Sequence, residues 1–117
     1  MMLIDYNNLK ILLCTQPTDM RKAIDGLCLI VCESFSQNPS CGSVYVFCNR
    51  GRDKCKVLYW DGNGFCLLYK RLEKGRFKLP SHGEPLDLRV GELRWLLQGL
   101  DFKSLPKPTE FSVDLYG

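Results

Sequence analysis

The feature that most constrains the fold is a series of short runs between residues 43 and 79 in which apolar and polar residues alternate. Residues 43–48, 54–61, 65–72 and 76–79 predict four successive strands, because they alternate with period two and are rich in β-branched and aromatic residues. Turns rich in Gly, Asn and Asp separate them at residues 49–53, 62–64 and 73–75. Strands joined this tightly predict an antiparallel meander, whose last strand ends at Pro80, as suits a sheet edge.

The segments on either side of the meander add two helices and further strands. Residues 10–15 predict a buried strand, residues 86–88 one more strand or an extended approach to the last helix, and residues 92–100 a helix that ends at Gly99. Residues 20–35 predict a longer helix, capped by Thr18 or Asp19 and interrupted by Gly26, which costs about 1 kcal/mol relative to Ala and leaves room for close strand packing. Its apolar stripe consists of Met20, Ile24, Leu27, Val31 and Phe35.

The predicted fold class is therefore α+β, an antiparallel β-meander of four to five short strands with two helices, most simply packed on one face. A chain of 117 residues suits one domain, which we place at residues 1–105. Residues 106–117 follow the last helix and include Pro106 and Pro108, so they are predicted to form an extended, weakly ordered tail.

The cysteines and the lack of a long apolar run bear on location and on metal binding. The seven cysteines are odd in number, no secretion signal is evident, and no apolar run approaches the roughly 20 residues of a membrane helix. These features predict reduced thiols in the cytoplasm, mostly in or near the core, including the pair Cys28 and Cys32. No CxxC spacing occurs and His82 is the single histidine, so we expect no metal site and no cofactor.

Positive charge is concentrated in the meander. Residues 50–78 hold nine Lys or Arg and three acidic residues, whereas the rest of the chain holds seven basic and ten acidic residues. This segregation indicates a polyanionic partner and predicts DNA binding through basic side chains. The candidate DNA-contacting residues are Arg21, Lys22, Arg50, Arg52, Lys54, Lys56, Lys70, Arg71, Arg76 and Lys78.

Strand register decides which of these cations share a face. If residues 62–64 form a three-residue turn, Asp61 pairs with Phe65 and Lys56 lies opposite Lys70. Two opposed cations destabilise a sheet, and a phosphate backbone would relieve their repulsion. A register shift of one residue would separate Lys56 from Lys70, and the basic surface could also be an ordinary solvated face.

Two other functional classes remain open at this stage. An adaptor that docks on another protein, or on a second copy of the chain, would use Trp60 and Tyr69 as anchors, because interface hot spots favour these residue types. A nuclease would need clustered carboxylates such as Asp53 and Asp61, but both lie in turns, where aspartate commonly bonds the local backbone. We therefore expect no enzymatic activity and no catalytic residues.

Three segments resemble the TnpB accessory proteins of IS66-type bacterial insertion sequences. They read PTDMRKAIDGL at residues 17–27, VYVFCNRGRDKCKVLYWDGNGFCLLYKRLEKGRF at residues 44–77, and ELRWLLQGLDF at residues 92–102. The resemblance covers about nine tenths of the chain, and the combination of NRGRD, WDGNGF and YKRLEKGRF is its most specific part.

The resemblance implies a role in transposition beside a separate, larger transposase that performs the strand chemistry, and it supplies no catalytic residues to transfer. The expected partners are that transposase and DNA, with a homo-oligomer possible and no membrane. The chain departs from the family pattern in being rich in cysteine. It also carries Arg89 where relatives often have Ser or Thr before the final helix, which predicts a less sharply started helix.

Overall fold

A single five-stranded sheet with two helices forms the fold in a computed structural model, which describes residues 9–80 and 83–100. The predicted α+β class is confirmed. The elements in chain order are β1 (Ile11–Leu13), α1 (Ile24–Ser34), β2 (Val44–Cys48), β3 (Lys54–Trp60), β4 (Phe65–Arg71), β5 (Leu86–Leu88) and α2 (Val90–Leu97).

The sheet is mixed, although the sequence predicted an antiparallel one. Its strand order is β4-β3-β2-β1-β5, so that β4 and β5 are the edges among the described residues. The meander prediction holds for β2, β3 and β4, which pair antiparallel in sequence order. In contrast, β1 runs parallel to β2, because α1 carries the chain back across the sheet between them.

The two helices cover opposite faces of the sheet, so the expectation that both pack on one face was wrong. Ile11 and Leu13 of β1 join a core that includes Leu96 of α2, whereas Leu12 joins a second core that includes Leu27 of α1. Successive side chains of a strand point to opposite faces, and every residue of β1 and β2 is buried. The central strands therefore need a helix on each side.

Helix α1 begins four residues later than the sequence predicted. Asp19 does not cap it, because its Oδ1 accepts a hydrogen bond from the Arg21 backbone N–H (2.9 Å) and closes a separate turn. The predicted apolar stripe is nevertheless confirmed, with Leu27 and Val31 buried. The close neighbour of Gly26 is the Lys22 side chain, 3.2 Å from the position of an added Cβ, rather than a strand.

Helix α2 has well-defined ends. The Arg89 backbone N–H donates to Glu92 Oε1 (2.9 Å). Glu92 is the third residue of the helix, so its side chain satisfies a backbone donor at a helix start that lacks a Ser or Thr cap. At the other end Gly99 has a φ of +79°, and the amides of Gly99 and Leu100 donate to the carbonyls of Leu96 and Trp95 (both 3.0 Å). This is the Schellman arrangement, and it confirms that Gly99 ends the helix.

The predicted fourth meander strand at residues 76–79 does not form. Gly75, with a φ of +77°, turns the chain after β4, and the Phe77 backbone N–H then donates to the Arg52 carbonyl (2.6 Å). The Phe77 side chain is completely buried in the α2-side core. Apolar and charged residues alternate at positions 76–79 because Phe77 is buried between two exposed cations. These residues do not pair with another strand in the described part of the chain.

Two further sequence predictions concern the C-terminal tail and the lack of a membrane helix. The predicted tail at residues 106–117 lies outside the described residues. Within residues 9–80 and 83–100, neither α1 nor α2 has the length and apolar character of a membrane-spanning segment.

Candidate nucleic-acid interface

The loop between β2 and β3, residues 49–53, is built around the side chain of Asn49. Its Oδ1 accepts hydrogen bonds from the backbone N–H groups of Asp53 (3.1 Å) and Lys54 (3.0 Å), and its Nδ2 donates to Asp53 Oδ1 (2.7 Å). These three bonds fix the loop from inside and leave Arg50 and Arg52 exposed on its outer surface. Arg52 has a φ of +60°, in the left-handed region that favours glycine.

The segment that follows β4 packs directly on this loop. The backbone N–H of Leu72 donates to the Asp53 carbonyl (2.8 Å), and that of Phe77 donates to the Arg52 carbonyl. Between and beyond these two anchors the side chains of Lys74, Arg76 and Lys78 are exposed. Two loops that are distant in sequence thus form one continuous surface.

This surface lies at the end of the sheet where β2 and β4 finish and β3 begins, and we refer to it as the cationic end. Lys54 and Arg71 are paired across β3 and β4 there, and therefore extend the basic surface of the two loops. Its members are Arg50, Arg52, Lys54, Arg71, Lys74, Arg76 and Lys78. The sequence had indicated all of them except Lys74, which was assigned only to a turn.

Two carboxylates lie within the cationic end and leave an excess of positive charge. Asp53 Oδ2 lies 3.9 Å from Lys54 Nζ, and Glu73 Oε2 lies 3.5 Å from Arg71 Nε. The hydrogen bond from Asn49, aided by the charges of Lys54 and Arg76, lowers the pKa of Asp53 below its ordinary value. Seven basic side chains thus surround two acidic ones, a balance that attracts a polyanion.

The register between β3 and β4 separates two of the predicted contact residues. The observed pairs include Trp60 with Phe65, Lys56 with Tyr69 and Cys55 with Lys70. Lys56 and Lys70 therefore project from opposite faces, and the expectation that they oppose each other was wrong. The cause is a connection of four residues, 61–64, closed by a hydrogen bond from the Asp61 N–H to the Gly64 carbonyl (2.8 Å).

Lys56 is engaged in holding the molecule together. Its ammonium group donates to the backbone carbonyls of Met20 (2.8 Å) and Lys22 (2.7 Å), and it lies 5.6 Å from the centre of the Tyr69 ring. These contacts join the turn before α1 to the face of β3. They also occupy two of the three N–H donors that a phosphate could otherwise receive.

Arg21 and Lys22 lie in the turn that Lys56 anchors, and so precede α1 rather than forming its first turn. The guanidinium of Arg21 donates to both carboxylate oxygens of Asp19, from Nη2 to Oδ2 at 2.8 Å and from Nε to Oδ1 at 3.1 Å. Hydrogen bonds from Arg21 lower the pKa of Asp19 to about 2. Both cations are exposed on the α1 side of the sheet, outside the cationic end.

The two predicted aromatic anchors differ in accessibility. Trp60 is partly buried and packs edge-on against Phe65, with ring centroids 4.9 Å apart. Tyr69 is 50% exposed and lies beside Leu68, which is 49% exposed, on the edge strand β4. Tyr69 is therefore the better placed of the two for contact with another macromolecule.

The cysteines are distributed across both core and surface. Cys14, Cys48 and Cys55 are buried and Cys28 and Cys66 are partly buried, as predicted for most of them, and all seven are unpaired thiols. Cys32 is exposed, so the core interpretation of the Cys28 and Cys32 pair was wrong for its second member. Among the described residues, no group of three His, Cys, Asp or Glu side chains is arranged to hold a metal ion.

Comparison with known proteins gives a family and two curated relatives. The family described as IS66 Orf2-like protein matches residues 9–107. The uncharacterized protein y4jC of Sinorhizobium fredii is 34% identical, with 87% of this chain and 92% of the relative aligned. The uncharacterized protein y4hO of the same organism is 38% identical, with 87% and 90% aligned. No solved structure matches significantly.

Proposed function

Because this chain belongs to the IS66 Orf2-like family, whose members are accessory proteins associated with insertion sequences, we propose that it assists transposition by binding DNA through its cationic end. In this proposal it has no catalytic role, and the strand chemistry belongs to the transposase of the same element. A cytoplasmic site of action fits both the DNA partner and the seven unpaired thiols.

The observation that supports this function most directly is the union of two basic loops by backbone hydrogen bonds. The bonds from Leu72 to Asp53 and from Phe77 to Arg52 join the backbones of the two loops, so the exposed cations that they carry lie on one surface. Less conformational entropy is lost on binding when the segments that carry the contacting side chains are ordered before the ligand arrives. The joined loops of the cationic end meet this condition. Lys56 suits phosphate binding less well, because two of its N–H donors already bind the carbonyls of Met20 and Lys22.

The backbone of Arg52 adds independent support. A non-glycine residue with positive φ carries an energetic cost, and such costs persist at sites where a side chain is needed. Glycine would remove the cost at this position, but it would also remove an exposed cation from the middle of the cationic end. We therefore assign Arg52 a central role in contacting phosphate.

The other predicted contact residues take different places in the proposal. Arg21 and Lys22 flank the DNA on the α1 side, Lys70 projects from the opposite face, and Lys56 positions the turn that carries Arg21 and Lys22. Contacts between basic side chains and phosphates neutralise charge without reading bases. The proposal therefore predicts DNA binding that weakens steeply as salt rises and varies little with DNA sequence.

The test compares duplex DNA binding by the unmodified chain and by a double variant, Arg52→Ala with Arg76→Ala, over a range of salt concentrations. The variant should bind more weakly at every salt concentration. Its log–log salt slope should become shallower by about 0.9 for each phosphate that the variant no longer neutralises. Fluorescence anisotropy with labelled duplex measures both quantities.

A matched control removes the same net charge from the opposite end of the sheet. Lys10 precedes β1, and its carbonyl accepts from the N–H of Val44, at the start of β2; Asn63 lies in the turn between β3 and β4. Both residues are exposed, and Lys10→Ala with Asn63→Asp lowers the net charge by the same amount as the test variant. If the two double variants lose affinity equally, binding follows net charge alone and the assigned site is incorrect.

A second candidate function, docking on the transposase, is favoured by the exposed Leu68 and Tyr69 on an edge strand. Edge strands with exposed apolar side chains are common docking sites for other proteins. In this function the transposase would co-purify with the chain after nuclease treatment, and Tyr69→Ala would reduce the yield. Loss of co-purification on nuclease treatment would leave DNA as the link between the two proteins.

A further inference from the structure

The edge strand β4 is an unusual surface for a protein to leave open. It is seven residues long, and within the described part of the chain only β3 pairs with it. It also carries Leu68 and Tyr69, two of the four large apolar side chains that are most exposed among the described residues. Long edges of this kind are normally shortened, charged throughout or covered, because they pair readily with other strands.

The backbone groups that β4 presents outward can be assigned from its pairing with β3. Hydrogen bonds join Leu72 to Asp53 and Asp61 to Gly64, one at each end of the strand. Since bonded pairs alternate along an antiparallel ladder, the amides and carbonyls of Cys66, Leu68 and Lys70 point toward β3. The outward groups are those of Phe65, Leu67, Tyr69 and Arg71.

We propose that this edge joins a second copy of the chain, with the two β4 strands antiparallel about a twofold axis at Leu68. In this register Leu68 meets the partner's Leu68, Leu67 meets the partner's Tyr69, and Phe65 meets the partner's Arg71. Each outward-bonding residue then faces another outward-bonding residue, so the ladder is complete along all seven positions. A shift by one residue would place inward groups opposite outward ones and is excluded.

The charges of β4 fit a second copy in this orientation. Both cations, Lys70 and Arg71, lie at one end of the strand, and the other end begins with Phe65 and Cys66. An antiparallel copy places Lys70 opposite the partner's Cys66 and Arg71 beside the partner's Phe65 ring, so no like charges are opposed. Parallel pairing in register would stack Lys70 on Lys70 and Arg71 on Arg71.

The proposed pairing also sets the arrangement of the two cationic ends. The joined β4 strands run in opposite directions, so the two copies place Arg71 at opposite ends of the new ladder. Six residue steps at about 3.4 Å each separate these ends by about 20 Å along the strands. The dimer would therefore present two basic surfaces on one continuous sheet, whether or not both contact DNA.

The test measures mass in solution without DNA, so its result is independent of the proposed DNA binding. Sedimentation velocity over the micromolar range should show mass rising with concentration from the 13.4 kDa monomer toward a dimer. Leu68→Lys places two ammonium groups at the twofold axis and should give a monomer at every concentration. Leu29→Lys is the control, because Leu29 is 55% exposed on α1 and should leave the dimer intact.

A second variant identifies the register directly. Leu68 and the partner's Leu68 form a non-bonded pair, in which Cα atoms lie about 4.5 Å apart, close enough for a disulfide. In a background with the exposed Cys32 and Cys41 changed to Ser, Leu68→Cys should give a covalent dimer with an added oxidant, and Leu29→Cys should not. A monomer at all concentrations overturns the proposal. This holds even if β4 pairs with another part of the chain, such as residues 101–117, or with another protein. A dimer unchanged by Leu68→Lys overturns it as well.

Discussion

Arg52 combines a left-handed backbone conformation with an exposed cationic side chain. Its left-handed backbone is fixed by the turn between β2 and β3, and its carbonyl receives the hydrogen bond from Phe77. The side chain is not needed for this geometry, because glycine adopts the same conformation without steric conflict between Cβ and the backbone. Stability and DNA binding should therefore respond in opposite directions to substitution here.

Replacing Arg52→Gly should raise the free energy of unfolding by up to about 1 kcal/mol, because the relief of backbone strain exceeds the extra entropy of glycine in the unfolded chain. The same variant should bind DNA more weakly. Urea unfolding and fluorescence anisotropy measure the two effects.

Arg50→Gly provides the comparison, since Arg50 has no positive φ. It should weaken DNA binding without stabilising the fold. Equal stability changes in the two variants would mean that strain at Arg52 is not the cause.

The Asp19 carboxylate provides a second prediction at this scale. Hydrogen bonds from Arg21 hold its pKa at about 2, compared with about 3.9 in an unfolded chain. Because the folded pKa is the lower one, the contribution of Asp19 to stability is present above about pH 4 and is lost as pH falls toward 2. An NMR titration of the Asp19 carboxyl should show a midpoint near 2, and Arg21→Ala should move it toward 3.9. A midpoint unchanged by that substitution would contradict the assigned cause.

At the scale of secondary structure, sequence patterns identified elements better than their arrangement. Period-two alternation located β2, β3 and β4 to within one residue, and the stripe from Met20 to Phe35 identified the buried face of α1. These features depend on neighbours along the chain, which a single sequence displays.

The features that could not be predicted depend on contacts between distant segments. Parallel pairing of β1 with β2 follows from the path of α1 over one face of the sheet. Phe77 has the sequence pattern of a strand residue because its side chain is buried in the core. The register of β3 with β4 depends on a turn closed by one backbone bond, which local propensity does not determine. For the same reason, the sequence identified the basic residues but could not show which of them share a surface.

The different roles of Lys56 and Lys70 give a prediction at this scale. Lys56→Met keeps the apolar stem but removes two charged hydrogen bonds that join β3 to the turn before α1. It should lower the free energy of unfolding by about 1 to 2 kcal/mol. Lys70→Met should change it by less than about 0.5 kcal/mol, as is usual for surface positions. Urea unfolding of both variants measures the difference.

A reversal of this order would mean that the bonds from Lys56 to the turn do not stabilise the fold. Equal effects would mean that the two lysines are equivalent surface cations, as the sequence alone had suggested.

For the whole molecule, the central feature is that different regions of the sheet present surfaces of different character. Helices cover the two faces, the loops at one end gather the cations, and the edge strand β4 presents exposed apolar side chains. Apolar cores on both faces leave the loops and the edge free to contact partners, an arrangement common in binding proteins. Family membership associates the chain with the transposition machinery of an insertion sequence.

The role of the cationic end can be tested by an NMR titration of the isotope-labelled chain with duplex DNA from the element ends and with a scrambled duplex. We expect the backbone signals of residues 49–54 and 71–78 to shift with both duplexes at low salt, and the shifts to fade as salt rises. Larger shifts with the element ends would add sequence preference to this electrostatic binding. Shifts concentrated in residues 61–64 or in β5, or no shifts at low salt, would contradict the assignment of the cationic end as the DNA-binding surface.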